Sequence, residues 1–292
     1  MAIFDSLVRF RGEDGKVYYG EAGVASKHTK ESLTGRVVPV FGGADAWDDD
    51  FVLTGEQQKI AETVTKVLCP VPSTPIFLCV GLNYKQHAEE AKMSYGEYPV
   101  IFTKPADALA GPFEDVPVPS ACDQMDHEAE LCVVIGKDCK NLTADSDLSQ
   151  YILGYTVGND VSSRWWQWPE RSGSQHGYAK SFDKFGPVGP VITSPRVITD
   201  PEDLTLECFV NGEKRQSTKV DDMIFNISTI LQHLSQGTTL RKGTIVMTGT
   251  PSGVAAFMKP PGWLKDGDVV EVHLDKVGTI RNKMVFEKDT KL

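Results

Sequence analysis

The sequence lacks any apolar run of the roughly 20 residues that a membrane-spanning helix requires. It also lacks a basic cluster, because 40 Asp and Glu residues outnumber 30 Lys and Arg residues and give a net charge of -10. This balance argues against a nucleic-acid surface and provides no long-range attraction for an anionic substrate. We therefore expect neither a membrane nor a nucleic acid as partner, and any positive site must come from particular residues or from a bound metal.

Cysteine is scarce and lacks metal-binding or redox spacing, since none of the six stands in a CxxC pair. Cys79 and Cys132 lie within apolar runs, where a free cysteine acts as a small hydrophobic side chain. Residues 1–16 contain acidic side chains and no apolar core, so we expect neither a secretory signal nor a transit peptide. These features predict free thiols and a reducing compartment, which would be the cytoplasm, with the mitochondrial matrix as the alternative.

Short apolar or alternating segments bounded by turn residues dominate the sequence and indicate β-strands. Residues 3–10 and 16–22 alternate around a glycine-containing turn and predict an opening hairpin. Residues 23–54 predict irregular structure, and 56–68 a short helix that ends at Pro70. Further strands are predicted at 76–80, 99–103, 129–135, 152–158, 187–192, 204–210, 213–217, 244–248, 268–274 and 278–286.

Few helices accompany these strands. Asn83 is a candidate N-cap for a helix over 84–93, and an amphipathic helix over 227–235 ends before Gly237. The Asn-Gly pair at 211–212 predicts a two-residue hairpin turn. Because strands and helices do not alternate as βαβ units, the pattern predicts an α+β, mostly β fold and argues against a doubly wound nucleotide-binding domain.

The Pro-rich segment 70–75 marks the predicted boundary between two domains. Residues 1–70 would form a small N-terminal domain, and residues 71–292 the larger catalytic domain. No internal repeat and no low-complexity tract divides the larger part further. The length of 292 residues is compatible with one main domain and a small appendage.

The stretch DHEAEL, residues 126–131, places Glu128 and Glu130 two residues apart where an apolar strand begins. Alternate residues of a strand point to the same face, so these carboxylates would lie about 6.6 Å apart along it. The simpler interpretation is a strand end that faces water. If the two carboxylates instead lie close together away from water, their repulsion raises the pKa of one of them unless a cation lies between the two. Asp160 ends another predicted strand and supplies a third carboxylate. Three oxygen ligands without a nearby Cys or His suit Mg²⁺, Mn²⁺ or Ca²⁺ rather than Zn²⁺.

Other polar residues have a functional and a structural interpretation each. His87 and Glu90 stand at i and i+3 on the predicted helix, either as a solvated pair or as a carboxylate that orients His87 or takes a proton from water. Lys104 follows a predicted strand and is either a contact for a substrate carboxylate or a structural lysine. The loop TGTPSGV, residues 248–254, lacks the Gly-Lys-Ser/Thr of a phosphate loop. Its N–H groups and Thr250 can hold a carboxylate, or the loop is a tight turn.

Seven motifs in a fixed order resemble those of the fumarylacetoacetate hydrolase family: GLNYKQHAEE, FTKPADALAGP, DHEAELCVVIGK, GYTVGNDVSSR, AKSFDKFGP, VNGEKRQ and VMTGTPSGV. The resemblance covers roughly residues 75–287, whereas residues 1–70 resemble the variable N-terminal part of family members. It implies a mixed β-sandwich roll that assembles as a homodimer.

The resemblance also implies which residues form the site. Glu128, Glu130 and Asp160 match the metal-binding carboxylates of the family, which implies Mg²⁺, with Mn²⁺ or Ca²⁺ in its place. His87 and Glu90 match the helix-borne pair that is proposed to activate water in its acylpyruvate hydrolases and oxaloacetate decarboxylases. The expected chemistry therefore combines a metal with a proton-transfer pair.

Three further positions match substrate-facing residues of the family. Lys180 matches the lysine that stabilises the enolate, Gln167 a substrate-facing glutamine, and Thr250 the loop that holds a substrate carboxylate. One position departs from the pattern, because Leu82 stands where some acylpyruvase-type members have arginine. The form GLNY resembles the branch that contains oxaloacetate tautomerases.

The function that this resemblance implies is divalent-metal-dependent hydrolysis of a C–C bond in a small 2-oxo, 1,3-dicarbonyl acid of the acylpyruvate type, through an enolate that the metal stabilises. The alternative is an oxaloacetate tautomerase or decarboxylase, because the same enolate chemistry without water attack gives those reactions. A second alternative is a non-catalytic, metal-stabilised binding protein. Such a protein would have no need of the proton-transfer set His87, Glu90 and Lys180.

Overall fold

The computed structural model describes residues 3–42, 52–53 and 61–288 of the chain. The β-strands of these residues are β1 (Ser6–Arg11), β2 (Val17–Glu21), β3 (Val37–Pro39), β4 (Phe41–Gly42), β5 (Val52–Leu53), β6 (Ala61–Thr63), β7 (Lys66–Val67), β8 (Phe77–Gly81), β9 (Val100–Lys104), β10 (Leu109–Ala110), β11 (Val116–Val118), β12 (Met125–Asp126), β13 (Ala129–Ile135), β14 (Ile152–Asn159), β15 (Ser162–Ser163), β16 (Gly186–Thr193), β17 (Thr205–Val210), β18 (Glu213–Lys219), β19 (Ile245–Met247), β20 (Val269–Leu274) and β21 (Gly278–Phe286). The α-helices are α1 (Lys30–Leu33), α2 (Lys85–Ala91), α3 (Arg164–Gln167), α4 (Pro169–Ser172), α5 (Gly177–Lys180) and α6 (Ile227–Ser235). Single turns of 3-10 helix lie at Ala106–Ala108, Leu148–Gln150, Pro201–Asp203, Val220–Asp222 and Ala255–Phe257.

Most strands belong to two sheets that pack face to face. The larger sheet has the order β2-β1-β16-β14-β13-β19-β8-β9, with β7 beside β1 and β10 beside β16. The smaller sheet has the order β11-β21-β20-β17-β18. Antiparallel pairs predominate, while β8 with β19, β10 with β16 and β11 with β21 are parallel. This architecture confirms the α+β, mostly β fold predicted from the sequence and the mixed β-sandwich roll implied by the resemblance.

Strand β13 lies inside the larger sheet and is buried on both faces. Leu131 and Val133 point into the core between the two sheets, where Leu206 of β17 belongs to the same apolar cluster. Cys132 points the opposite way, into a second cluster that contains Phe77 of β8. Burying a side chain of this size contributes about 1.5–3 kcal/mol, so packing on two faces holds the strand that carries Glu130.

Most sequence-predicted elements are confirmed. The opening hairpin is formed by β1 and β2. Every predicted strand from residue 76 onward is present with bounds within two residues of the prediction, and α6 spans the predicted 227–235. The turn between β17 and β18 has Asn211 at φ 52° and Gly212 at φ 81°, which is the backbone that a two-residue hairpin turn of this type needs.

Three local predictions are wrong. The helix predicted over 56–68 is not formed in its described part. There β6 pairs with β3 and β7 pairs with β1, so sheet pairing overrides the local pattern. Residues 56–60 lie outside the described residues. The segment 23–54 is not wholly irregular, since it contains α1 and β3 to β5; residues 43–51 and 54 lie outside the described residues. Asn83 does not cap α2, whose N-cap is Tyr84. The Asn83 side chain instead accepts a hydrogen bond from the Phe225 N–H (2.8 Å) and donates one to the Thr248 carbonyl (2.7 Å).

The described part of the segment before residue 70 extends the larger sheet. Strand β1 is hydrogen-bonded to β16, with Ser6 opposite Thr193 and Leu7 opposite Ile192. The division into domains at residue 70 stays a prediction. All six cysteines are free and buried, as the sequence predicts, and burial raises the pKa of the Cys69 thiol to about 12. Among the residues described, no helix combines the length and the apolar character needed to cross a membrane.

Candidate metal centre and active site

The register of two antiparallel strands brings the three predicted carboxylates together. The first residue of β13, Ala129, faces Asn159, the last residue of β14, so the start of one strand meets the end of the other. The Asp160 N–H donates to the Glu128 carbonyl at 2.8 Å, and the Glu128 N–H donates to the Asn159 side-chain oxygen at 2.9 Å. Carboxylate oxygens of Glu128, Glu130 and Asp160 consequently lie within 4.8 Å of one another, and all three residues are buried.

Three cationic side chains contact two of these carboxylates. The Lys180 Nζ donates to Glu128 at 2.9 Å and to Asp160 at 2.6 Å. The Arg164 guanidinium lies 2.6 Å from the Glu128 carboxylate on another side. Lys104 is fully buried and forms an ion pair with Asp160, and its Nζ also donates to the Phe185 carbonyl at 2.5 Å. Two of the three acids are thus already neutralised by the protein.

Glu130 is the acid without such a partner. Among the ion pairs of the described residues none involves Glu130, and one of its oxygens accepts only the Gly249 N–H, at 2.7 Å. Its other oxygen, Oε1, is buried and has no hydrogen-bond partner. Burial, followed by the nearby Asp160 and Glu128 carboxylates, raises the pKa of Glu130 well above its ordinary value. A buried acid with an unpartnered oxygen is costly unless it is protonated or meets a cation.

The pKa values of Glu128 and Lys180 are shifted in opposite directions. Burial alone would raise the pKa of Glu128, but the Lys180 and Arg164 charges outweigh it and lower that pKa to about 2. Burial alone would lower the pKa of Lys180, but the Asp160 and Glu128 carboxylates outweigh it and raise that pKa. Glu128 is therefore an anion and Lys180 a cation at neutral pH. The anion Glu128 is suited to bind a metal, and the cation Lys180 is suited to stabilise negative charge.

These residues fit a divalent metal. The donor set consists of carboxylate oxygens alone, which suits Mg²⁺, Mn²⁺ or Ca²⁺, and one of its members, Glu130, has a buried oxygen without a hydrogen-bond partner. A cation bound there would satisfy that oxygen and offset the repulsion that raises the pKa of Glu130. The three carboxylates could thus hold a metal ion.

The loop at 248–254 connects this centre to the His87–Glu90 pair. Gly249 has φ +102°, a backbone that favours glycine, and its N–H is the donor to Glu130. Gly253 has φ +99°, and its N–H donates to both carboxylate oxygens of Glu90, at 3.1 and 3.2 Å. Glu90 in turn contacts the His87 Nδ1 at 3.2 Å. One glycine-dependent loop therefore orients a carboxylate of the triad and the acid that orients His87.

A cavity of about 380 Å³ opens beside the triad. The sequence-predicted residues that line it are His87, Glu128, Gln167, Lys180 and Thr250. Glu130 and Asp160 lie behind this wall and are fully buried. Most of the remaining wall is apolar and includes Leu82, Met93, Tyr95, Tyr98, Trp168, Phe225 and Phe257. A volume of this order is typical of small-molecule sites.

Two of the predicted residues are placed differently from the rest. Lys104 does not line the cavity, and its contacts with Asp160 and Phe185 favour the structural interpretation over a substrate contact. Glu90 does not line it either and is connected to the cavity by its contact with His87. The roles of all these residues stay predictions, while their positions are set by the fold.

Sequence reasoning missed two residues that line the same cavity. Arg164 bridges two acids, since its Nε donates to Asp126 at 2.8 Å while the guanidinium contacts Glu128. His176 lies 2.7 Å from the Gln167 amide through its Nδ1, and burial followed by the Lys180 charge lowers its pKa. The available signal was the arginine four residues after Asp160 in the motif GYTVGNDVSSR. His176 carries no comparable signal.

The raised pKa of Glu130 predicts an unusual dependence of stability on pH. The folded, metal-free protein binds a proton at Glu130 up to a higher pH than the unfolded chain, whose carboxyl titrates near 4.5. The contribution of Glu130 to the free energy of unfolding of metal-free protein should therefore decrease as pH rises above 4.5 through the raised pKa, while the four histidines whose pKa burial lowers contribute in the opposite direction. Thermal melting in a chelator across this range checks the sign.

Two controls sharpen this measurement. Saturating Mg²⁺ should remove the loss of stability, because a cation replaces the proton. Glu130→Gln should lack this contribution, because it carries no carboxyl group at that position, so the stability of the variant relative to wild type should increase as pH rises. A difference in stability between metal-free wild type and variant that stays constant over this range would contradict the assignment.

The fold and the site define a class of protein: a mixed β-sandwich in which a buried carboxylate triad, able to hold a divalent cation, lies at the wall of a cavity with a histidine–carboxylate pair. A family model described as "Fumarylacetoacetate (FAA) hydrolase C-terminal" matches residues 76–285. The chain belongs to the fumarylacetoacetate hydrolase family, as the sequence motifs indicate.

Relatives and solved structures agree with this membership. The chain is 42% identical over 228 residues to a fumarylacetoacetate hydrolase domain-containing protein 2 homolog of Dictyostelium discoideum, covering 75% of this chain and 74% of that protein. It is 39% identical over 233 residues to a mitochondrial oxaloacetate tautomerase of Rattus norvegicus, covering 80% and 74%. The structure of a 2-hydroxyhepta-2,4-diene-1,7-dioate isomerase from Mycobacterium marinum has a TM-score of 0.79 and 30% identity, covering 98% of this chain and 100% of that one.

Proposed function

We propose that this protein is a divalent-metal-dependent oxaloacetate tautomerase, which interconverts the enol and keto forms of oxaloacetate. The observation that carries the proposal is Lys180, a buried cation that bridges Glu128 and Asp160 at the wall of the cavity. Relatives that are 39% identical bear this activity in their names, which supports the proposal over the C–C hydrolase that the sequence favours. Leu82 in the cavity wall supports it too, because it replaces the arginine of some acylpyruvases.

The metal would be held by Glu128, Glu130 and Asp160, and we propose Mg²⁺ or Mn²⁺. When bound, it supplies Lewis acidity towards the oxygens of a 2-oxo acid. The protein supplies the rest of the site. Thr250 and Gln167 line the cavity with groups that hydrogen-bond a carboxylate, and the apolar wall limits access of water.

The tautomerisation needs one proton moved and one negative charge stabilised. In the enol-to-keto direction the enol O–H proton is lost and a C–H bond forms at the neighbouring carbon, so the net composition is unchanged. Lys180 places its ammonium where the enolate oxygen carries charge. His87 has its Nδ1 engaged by Glu90, which leaves Nε2 as the ring nitrogen that exchanges a proton with a bound molecule.

Acylpyruvate hydrolysis is the second candidate, and the His87–Glu90 pair favours it. A carboxylate that orients a histidine beside a cavity is an arrangement that activates water. Water would add to the acyl carbonyl, the C–C bond would break, and the electron pair would leave as the enolate of pyruvate, which is then protonated. The products would be pyruvate and a carboxylic acid.

Substrate turnover separates the two candidates. We expect the wild-type protein with Mg²⁺ to accelerate loss of the enol absorbance of oxaloacetate, and a chelator to reverse this effect. Pyruvate release from an acylpyruvate should be absent or slower by about a hundredfold, since Leu82 stands where some acylpyruvase-type members have arginine. His87→Ala should cut any hydrolysis by about 10²–10⁴-fold.

Three outcomes decide between the candidates. Efficient acylpyruvate cleavage without enol–keto conversion would replace the tautomerase by the hydrolase. Release of CO₂ from oxaloacetate in step with its disappearance would indicate a decarboxylase. Inactivity towards both substrates, with the metal still bound, would favour a binding protein.

We also propose a compartment and an assembly for this protein. Several relatives are named as mitochondrial proteins, so we propose the mitochondrial matrix over the cytoplasm that the sequence alone predicts. We also propose a homodimer, as the family resemblance implies. Sedimentation of the purified protein tests the homodimer, and fractionation of source cells tests the compartment.

A further inference from the structure

Gln216 lies on β18, in the smaller sheet, and none of the roles assigned above involves it. Its side chain is buried, with 1% of its surface exposed. The Gln216 Oε1 accepts the Ala129 N–H at 3.0 Å. Its Nε2 donates to the Thr250 Oγ1 and to the Pro251 carbonyl, both at 2.8 Å. The orientation of the amide follows from these partners, since an N–H needs an acceptor and a carbonyl needs a donor.

The partners of Gln216 all belong to the site. Ala129 stands between Glu128 and Glu130, at the first position of β13. Thr250 and Pro251 belong to the loop 248–254, whose N–H groups hold Glu130 and Glu90. One buried amide therefore joins the strand that carries the acids to the loop that lines the cavity.

Gln216 also determines where the Thr250 hydroxyl proton points. A hydroxyl group has one proton to donate, and the Thr250 oxygen here accepts from Gln216. Its own proton is thereby directed away from Gln216, and Thr250 lines the cavity. The hydroxyl proton is therefore not used by Gln216 and remains available to a molecule bound in the cavity.

The packing of the loop makes this arrangement rigid. Gly253 lies directly against the backbone of β18, where an added Cβ would collide with the Arg215 carbonyl oxygen. The same Gly253 N–H holds Glu90. The loop is consequently fixed at two neighbouring residues of β18, one by packing and one by the Gln216 amide.

We propose that Gln216 is a positioning residue, which fixes the loop 248–254 against β13 and presents the Thr250 hydroxyl to the carboxylate of a bound 2-oxo acid. The ligand class in this statement rests on the proposed function, whereas the hydrogen bonds do not. Gln216 touches neither the cavity nor the three acids directly, so it acts through Thr250 and Ala129.

The test compares Gln216→Glu with Gln216→Met and with a matched control. The Glu variant keeps an acceptor for the Ala129 N–H but loses both donors, and it turns an oxygen towards Thr250. The Met variant buries no charge and removes all three hydrogen bonds. The control is Thr218→Val, on the same strand, where the lost hydrogen bond goes only to the adjacent Lys219 carbonyl.

The main readout is the affinity for oxalate in the presence of Mg²⁺, measured by calorimetry, because it requires no turnover. Oxalate is a planar dianion that resembles the enolate of a 2-oxo acid. We expect Gln216→Glu to weaken oxalate binding by about tenfold, the usual effect of one lost hydrogen bond to a charged group, and Thr218→Val to change it less than about twofold. KM for oxaloacetate should rise in parallel, with kcat within about threefold of wild type.

A double-mutant cycle with Thr250→Val distinguishes positioning from general damage. If Gln216 acts through Thr250, adding Gln216→Glu to Thr250→Val should cause little further loss of oxalate affinity. Full multiplication of the two losses, or wild-type affinity in Gln216→Glu and Gln216→Met, would overturn the proposal. Should the Glu variant fail to fold, the Met variant enters the cycle in its place. Wild-type protein that binds oxalate without acting on oxaloacetate would count against the proposed function alone.

Discussion

Glu130→Gln should abolish the metal-dependent activity while leaving the fold intact. The substitution keeps the shape and an acceptor for the Gly249 N–H but removes the negative charge of the one acid of the triad that has no cationic partner. With a ligand lost from a three-carboxylate set, we expect affinity for Mn²⁺ to fall by about a hundredfold or more. Losing the charge stabilisation that a metal provides should lower turnover by about a thousandfold. Calorimetry with Mn²⁺ and a turnover assay measure the two effects.

The matched control is Glu89→Gln, which removes an acidic charge from the exposed face of α2. It should leave both metal affinity and turnover within about twofold of wild type, because salt and water screen the charge of an exposed side chain. The metal-free Glu130→Gln protein should also melt at a higher temperature than metal-free wild type at neutral pH, since it no longer buries an unpaired acid. Wild-type Mn²⁺ affinity in Glu130→Gln would remove Glu130 from the metal centre.

Lys180→Met should separate catalysis from metal binding. The variant retains an apolar stem of similar length and loses the ammonium that contacts Glu128 and Asp160. Turnover of oxaloacetate should fall by about a hundredfold to a thousandfold, the usual effect of losing one group that stabilises an oxyanion. Affinity for Mn²⁺ should hold or increase, because two carboxylates lose a competing cation.

Two further variants serve as comparisons for Lys180→Met. Lys184→Met removes a half-exposed lysine that pairs with Glu114 and should leave turnover unchanged. His87→Ala should cost less on oxaloacetate than Lys180→Met, since solvent can deliver a proton but cannot replace a fixed positive charge. A loss of metal affinity equal to the loss of turnover in Lys180→Met would show that Lys180 only maintains the carboxylate cluster.

The carboxylate cluster was predictable because its geometry is local. Glu128 and Glu130 share a face by strand periodicity alone, and Asp160 ends a strand that is the next long one in the sequence. Antiparallel pairing of sequential strands then brings the start of one to the end of the other. The pairing that the structure shows needed no information from distant parts of the chain.

The supporting contacts were not predictable, because each joins segments far apart in sequence. Gln216 reaches Ala129 across 87 positions, and the Gly253 N–H reaches Glu90 across 163. Lys104 looked equally suited to either of two roles, and only the depth of burial, fixed by the packed sheet, separates them. The helix prediction for the segment 61–67 was wrong for a related reason. Its short strands are stabilised by pairing with β1 and β3, and its own sequence carries no strand periodicity.

The cavity is built from two kinds of segment that can change at different rates. The three acids lie at or beside strand ends and Lys180 lies at the end of α5, all among buried neighbours that restrict which side chains fit. The apolar wall at Leu82 and 93–98 lies on connections, which tolerate exchange without loss of the fold. Substitutions in one short connection can therefore change which substrate binds while the residues of the metal centre stay the same. For this chain, the residues between α2 and β9 are accordingly the place where exchanges would alter which molecule the cavity accepts.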